Sequence, residues 1–340
     1  MLAITSRCEL VGVGIASFSN SLLLYMLTFK ATSSYGSYRR LMLSYTIVEI
    51  MYTFFNKICG MMAHSTETSF VVFNVYQGYV SRSLAPIFLL GFCAIYYTLI
   101  TLLVVHFIYR YIVICDSAKL KYFDGGYLLC WVFGCAACGI SMVTVKYFAF
   151  PQKERLTNEL RDDFSQYYNL TMEEVVYNGP NYYNCDENGK CEISLVDWIT
   201  MIIFCCGLMF SVIIMFCCGY FCCMKLEKNK LNASHHTVQL QKQLMIALII
   251  QSLIPITLMY IPILILFVTP MIRIAAGPYV NIAIATVAIY PPVDQFAIIY
   301  VIKDFRTAVK NFFKRGTKSG TSPSSAVLTT KKKAWHHLLN

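Results

Sequence analysis

Charge is scarce in this chain: Asp, Glu, Lys and Arg make up 14% of 340 residues, and there are only six histidines. A soluble domain carries roughly 25% charged residues, so this supply cannot cover an aqueous surface. The 57% of hydrophobic residues must instead face lipid. Other absences narrow the chemistry. The sequence has no glycine-rich phosphate loop, no His-Glu-x-x-His and no nucleophile elbow, so neither an enzyme nor a cofactor is expected. The histidines show no metal-ligand spacing, and no metal site is expected. Most of the 15 cysteines lie inside apolar runs, where Cys behaves as a small apolar residue.

What is present is a set of long apolar runs. A bilayer core about 30 Å thick needs roughly 20 residues of helix. Seven stretches qualify, approximately 10–29, 41–62, 85–108, 127–149, 198–221, 244–268 and 279–302. The first lacks a small-residue cleavage site, so it reads as a span and not as a signal peptide. Within the seven, the only acidic or basic residues are Glu49, Lys57, Lys146 and Asp294. The expected fold is therefore an all-α membrane protein, a seven-helix bundle over 1–313, followed by a disordered tail over 314–340 rich in Ser and Thr. With the N-terminus outside, the inner segments hold 19 of the 28 Lys and Arg and the outer segments hold seven. That asymmetry orients the chain with its C-terminus in the cytosol. The net charge of +10 belongs to this pattern, so no nucleic-acid partner is expected.

The segment 150–197 carries ten acids against four bases and is long enough to fold locally. Thr171-Met-Glu-Glu174 reads as a helix start with a reciprocal cap, and Asn188-Gly189 as a hairpin turn. Cys185 and Cys191 flank that turn and are either a local disulfide or two free thiols. Asn169-Leu-Thr171 is a glycosylation sequon outside, and Asn232-Ala-Ser234 is one that this topology places in the cytosol.

Four separated motifs carry a family likeness. They are Gly36-Ser-Tyr38 with Arg40-Leu-Met42 and Glu49-Ile-Met-Tyr52; His106-Phe-Ile-Tyr-Arg-Tyr111; Leu240-Gln-Lys-Gln-Leu244 with Gln251 and Pro255; and Tyr290-Pro-Pro-Val-Asp294 with Ile302-Lys-Asp-Phe-Arg306. In this order the chain resembles the nematode seven-transmembrane chemoreceptors of the Str class, within the serpentine receptors that include Srj-like relatives. The resemblance implies a chemosensory receptor in a sensory neuron, with a small odorant or other chemical cue and a heterotrimeric G protein as partners. A ligand-gated channel or a transporter is the alternative, although no paired half-repeats are visible.

Candidate sites follow from the spans. A ligand pocket in a bundle of this kind belongs among the outer helix halves, where Phe88, Phe92, Tyr96, Phe204, Tyr260 and Thr286 could line it. Arg110, flanked by Tyr109 and Tyr111 at the inner end of the third span, is the candidate coupling residue. Its plainer role is a positive-inside anchor. Pro255 and Pro262 should bend the sixth span. Asn20, Glu49 and Asp294 lie at similar depth, roughly 12 to 14 Å from the inner face at about 1.5 Å per residue. By resemblance their helices are neighbours, so these side chains should face inward and share a partner, a proton, an ion or water. Beyond the last span, Phe305, Val309, Phe312 and Phe313 fall on one face, with Lys303, Arg306, Lys310 and Lys314 elsewhere. That spacing predicts a short amphipathic helix on the inner leaflet.

Overall fold

The computed structural model describes residues 2–30, 36–75, 81, 83–185, 190–228 and 235–310. Backbone groups inside lipid have no water to bond, so the apolar runs close their hydrogen bonds within helices. In chain order these are α1 (Leu2–Tyr25, continued by a π-helical turn Met26–Lys30), α2 (Ser37–Cys59), α3 (Ala85–Cys115) and α4 (Tyr127–Ala149). After a long connection come α6 (Leu195–Lys228), the broken span α7 (His235–Pro255) and α8 (Ile261–Met271), and α9 (Asn281–Val301). Six of these spans are long and apolar enough to cross a membrane by length and composition. The seventh, α2, is 23 residues long but less apolar, because it carries Arg39, Arg40, Glu49, Asn56 and Lys57. Residues 303–310 are also helical, with Phe305 buried and Lys303 and Lys310 exposed. Phe312, Phe313, Lys314 and the tail lie outside the described residues.

Helix α3 is the axis of the bundle, packed against α2, α4, α6 and α7. It meets α4 at Gly139, where a Cβ would strike the carbonyl oxygen of Ala94 and the hydroxyl of Thr98. Small residues let membrane helices approach to backbone contact. The sixth span breaks at a π-helical segment, Ile256–Tyr260, between Pro255 and Pro262. Proline removes a ladder donor and a π-turn inserts an extra residue, so the two devices bend this span together.

At one end of the bundle the connections fold into a lid. There α2 ends at Cys59, because Gly60 turns left-handed with φ 47° and its N–H closes on Asn56. The span read as 41–62 therefore ends early, and Met62 already belongs to a strand. Strands β1 (Met62–Ser65), β2 (Phe70–Val75) and β3 (Val175–Asn178) form an antiparallel sheet, with Ala63 opposite Val72 and Phe73 opposite Tyr177. Across it lies α5 (Glu154–Tyr168), whose Leu156, Leu160, Phe164 and Tyr168 recur at helical spacing and pack on Val71, Phe73 and Val175 as a second core. The cap at Thr171 does form, with backbone and side chain donating to Glu174 at 2.9 and 3.0 Å. These bonds hold the Glu174 carboxyl below its ordinary range. The chain then enters β3 and not a helix, because Val175, Val176 and Tyr177 favour the pleated sheet. A two-stranded ribbon, β4 (Tyr183–Cys185) and β5 (Cys191–Ile193), is closed by the Cys185–Cys191 disulfide. Asn188 and Gly189 lie outside the described residues.

Buried Asp197 in the first turn of α6 pins these pieces to the bundle. It accepts from Ser194, from the Asn181 N–H at 3.1 Å and from Lys153 Nζ at 3.1 Å. A carboxylate there also meets the positive end of the helix dipole.

Replacing Gly139 with alanine should force α3 and α4 apart and cost about 1–3 kcal/mol, the usual penalty of overpacking. Gly134, on the same helix with nothing near its added Cβ, supplies the control. Thermal unfolding of the purified variants checks this, and equal midpoints for both would refute the close contact.

Candidate functional site

Beneath the lid the bundle encloses a cavity of about 70 Å³. Its wall is assembled from all but two of the spans and from both loops of the lid. From α3 come Phe92, Cys93, Tyr96 and Tyr97; from α4, Lys146; from α6, Met201 and Phe204. Helix α8 adds Leu266 and Phe267, and α9 adds Ile284 and Val287. Phe70 of β2 roofs the cavity and stacks on Phe267 with centroids 5.2 Å apart. Tyr182 locks that roof: its hydroxyl donates to the Phe267 carbonyl at 3.1 Å, and its N–H to Thr68 at 2.8 Å. Burial pushes the Tyr182 phenol above its ordinary value, so it keeps the proton that this bond requires. Beside it the backbone of Gly179 runs so close to Phe70 that a Cβ would overlap the Phe70 carbonyl oxygen.

Of the six side chains expected around the pocket, Phe92, Tyr96 and Phe204 line this cavity. The other three do not. Phe88 packs against Phe55, at 5.9 Å between centroids, and Tyr260 is hydrogen-bonded to Ser211 at 3.1 Å. The Thr286 hydroxyl returns to the Ala283 carbonyl at 2.8 Å. Lys146 and the lid residues Phe70, Gly179 and Pro180 were absent from that expected set. The lysine was visible as an intramembrane charge, whereas the lid contacts depend on how two distant loops meet.

Below the cavity lies a polar cluster. Glu49 and Asp294 are fully buried on α2 and α9 and stand within electrostatic reach of each other. Tyr290 lies beside Glu49, and Gln251 of α7 beside Asp294. Among the described residues neither carboxyl makes a hydrogen bond of ordinary length and angle. Tyr45 and Tyr290 join hydroxyls at 2.5 Å, and the Tyr52 hydroxyl reaches the Val287 carbonyl at 3.2 Å. His106 stands edge-on to Tyr45 and donates from Nδ1 to Leu102 at 2.9 Å. Asn20 is buried on α1, which packs against both α2 and α9, and its amide has no partner among the described residues.

At the end opposite the lid, Arg110 is buried to 1% exposure. Its guanidinium lies 3.6 Å above the Tyr38 ring and donates to Gln241 Oε1 of α7 at 3.1 Å. Tyr38 stacks in turn on Tyr109, and the exposed Tyr111 packs on Phe221. Arg110 therefore links α2, α3 and α7, with an amide where an acid would make an ion pair. Arginine suits this place because its plane can stack and donate at once. Nearby, Arg40 and Ser37 both reach Asp124 after α3, tying the first turn of α2 to that connection.

The family model described as serpentine type 7TM GPCR chemoreceptor Str matches residues 5–310. The serpentine receptor class r-10 of Caenorhabditis briggsae is 29% identical over 92% of this chain and 91% of its own. The G-protein coupled receptor str-217 of Caenorhabditis elegans is 25% identical, covering 92% and 90%. The serpentine receptor class J-38 of Caenorhabditis elegans is 25% identical, covering 93% and 96%.

The closeness of Glu49 and Asp294 predicts that Glu49→Gln and Asp294→Asn are not additive. In a double-mutant cycle on unfolding midpoints, residues that share no partner add within about 0.5 kcal/mol. A larger coupling is expected here. If it changes with pH, the pair shares a proton; if it is constant, the role is packing alone; additivity removes the pair altogether.

Proposed function

Because the chain belongs to the Str class of serpentine seven-transmembrane G protein-coupled chemoreceptors, we propose that it detects a small odorant or similar chemical cue. The signal passes to a heterotrimeric G protein from the plasma membrane of a chemosensory neuron, at its cilium. The lid faces outside and Arg110 faces the cytosol, in keeping with the Lys and Arg balance of the connections.

The observation that carries this reading is the arrangement of two sites along one bent span. The cavity touches α8 through Leu266 and Phe267, and Arg110 touches α7 through Gln241. Between them stand the π-turn, Pro255 and Pro262, with Gln251 against the Asp294 cluster. A ligand that shifts α8 therefore moves the break and pulls Gln241 from Arg110. That frees the guanidinium for the carbonyl or carboxylate groups of a partner. The Tyr109-Arg110-Tyr111 stretch is the coupling element, and the polar cluster is the switch that α9 biases.

Cells that express the chain with a permissive G protein, screened for calcium responses to odorants, test the assignment. Arg110→Ala should abolish the response while surface delivery persists. Gln241→Ala should raise basal signalling, since it removes a charge-assisted bond of about 1.5–3 kcal/mol that holds the resting form. A full response from Arg110→Ala would reduce this arginine to an anchor.

Orientation is tested separately. Asn169 is exposed on the lid, in the left-handed cap of α5 with φ 55°, whereas Asn232 lies outside the described residues. Glycosylation of Asn169 and not of Asn232 is expected, read as a glycan-dependent gel shift lost in Asn169→Gln. A shift that depends on Asn232 would invert the topology.

A further inference from the structure

Lys146 does not fit its surroundings as a structural residue. It stands in the last turn of α4, where a cation is favoured by the helix dipole, but a lysine placed for that purpose would extend its stem and keep its ammonium in water. Here the residue is only 9% exposed and its side chain forms part of the cavity wall. Among the described residues, its one side-chain contact of hydrogen-bonding length is the thiol of Cys93, at 3.3 Å from Nζ. The ammonium has three donors, and a neutral thiol is a weak acceptor. Among the described residues no carboxylate lines the cavity, and the ion pairs join other groups. A second donor lines the same cavity: Tyr96 is 7% exposed and has a buried hydroxyl without a partner among the described residues. The rest of the lining is mostly apolar, with Phe92, Phe204 and Phe267 presenting rings and Tyr97 a further phenol.

We propose that Lys146 and Tyr96 are the recognition pair of this cavity, and that its ligand is a short-chain aliphatic carboxylate. The proposal rests on the reading of the cavity as the receptor's ligand site. A buried ammonium without a counter-charge is costly, and a carboxylate supplies that charge together with two acceptor-only oxygens, one for each donor. Charge-assisted bonds of this kind are roughly twice as strong as neutral ones. The alkyl chain then meets the aromatic wall. Size favours a short chain: the cavity has a volume of about 70 Å³, small beside the roughly 300–1,000 Å³ of sites that take drug-sized ligands. Butanoate and pentanoate represent that class. An amine of equal length would place a second cation against Lys146, and an alcohol or methyl ketone would leave the charge unanswered.

The test uses the full chain in lipid nanodiscs, with intrinsic fluorescence following thermal unfolding as butanoate or pentanoate is titrated. The matched alcohol, methyl ketone and amine are run beside them. Both carboxylates should raise the unfolding midpoint in a saturable way, and the amine should not. Lys146→Met should weaken the carboxylates at least about tenfold, which is the loss of about 1.4 kcal/mol, while Lys146→Arg keeps most of the effect. Tyr96→Phe should weaken them less, and it covers the case in which Lys146→Met fails to fold. Saturable stabilisation by carboxylates in wild type and its loss in these variants support the pair. No stabilisation by either carboxylate, or equal stabilisation of Lys146→Met, overturns it. So does a ketone or alcohol that binds wild type and Lys146→Met alike. Binding is read here without a G protein, so a carboxylate that binds and does not signal would count against the receptor assignment and leave the ligand assignment standing.

Discussion

Lipid offers no partner to a polar group, and this molecule meets that constraint by turning its deep ionisable side chains inward. Glu49, His106, Arg110, Lys146 and Asp294 are all buried in the bundle, while large apolar side chains such as Phe133, Phe148 and Phe216 are exposed on its outside. The polar set thereby defines the helix rotations. Glu49 and Asp294 orient α2 and α9 toward each other, and Arg110 orients α3 toward α7. Wherever these side chains meet, they mark a level of the bundle with its own chemistry. The lid end holds a largely apolar cavity with Lys146 and Tyr96 in its wall, the middle holds paired carboxyls among tyrosines, and the far end holds a stacked guanidinium.

The lid is a small folded unit in its own right, with a core of Val71, Phe73, Leu160, Phe164 and Tyr177 separate from that of the spans. It is nonetheless joined to the bundle at many points. Ser65 and Gly277 exchange backbone bonds at 3.3 and 2.9 Å, and Asn281 at the start of α9 bonds both edges of Ala63. Tyr168 of α5 meets His64 at 3.2 Å and also the Asn281 amide at 3.2 Å. Movement of α9 is therefore felt in the roof of the cavity as well as in the carboxyl cluster below it.

Much of this was legible in the sequence, because a span announces itself by length and by the lack of charge. The seven spans, the special positions of Arg110, Glu49 and Asp294, and the two prolines could all be read that way. The lid was less visible. Phe70-Val-Val-Phe73 is a short apolar run of strand-forming residues, yet only one of its partner strands, β1, is near in the sequence, and the other, β3, lies beyond two spans. Leu156, Leu160, Phe164 and Tyr168 mark α5 at a spacing of four, but Thr171 and Glu174 imitate a helix start where a strand begins. Side-chain direction was the other gap. Tyr260 and Thr286 lie on the spans chosen for the pocket, but the break at Pro255 and the packing of α9 turn them to Ser211 and to their own helix. No periodicity within one span can report how its neighbours rotate it.

The modest hydropathy of α2 bears on how the chain is made. A translocating ribosome delivers α2 second, while the α9 segment that faces Glu49 is synthesised last. Through most of synthesis the least apolar span thus carries a carboxyl whose neighbouring carboxyl and tyrosine, Asp294 and Tyr290, do not yet exist. Insertion of α2 must lean on α1 and α3, which pack beside it and are already present or next to emerge. A nascent chain cut short before α9 would therefore hold Glu49 without the side chains that face it in the complete bundle.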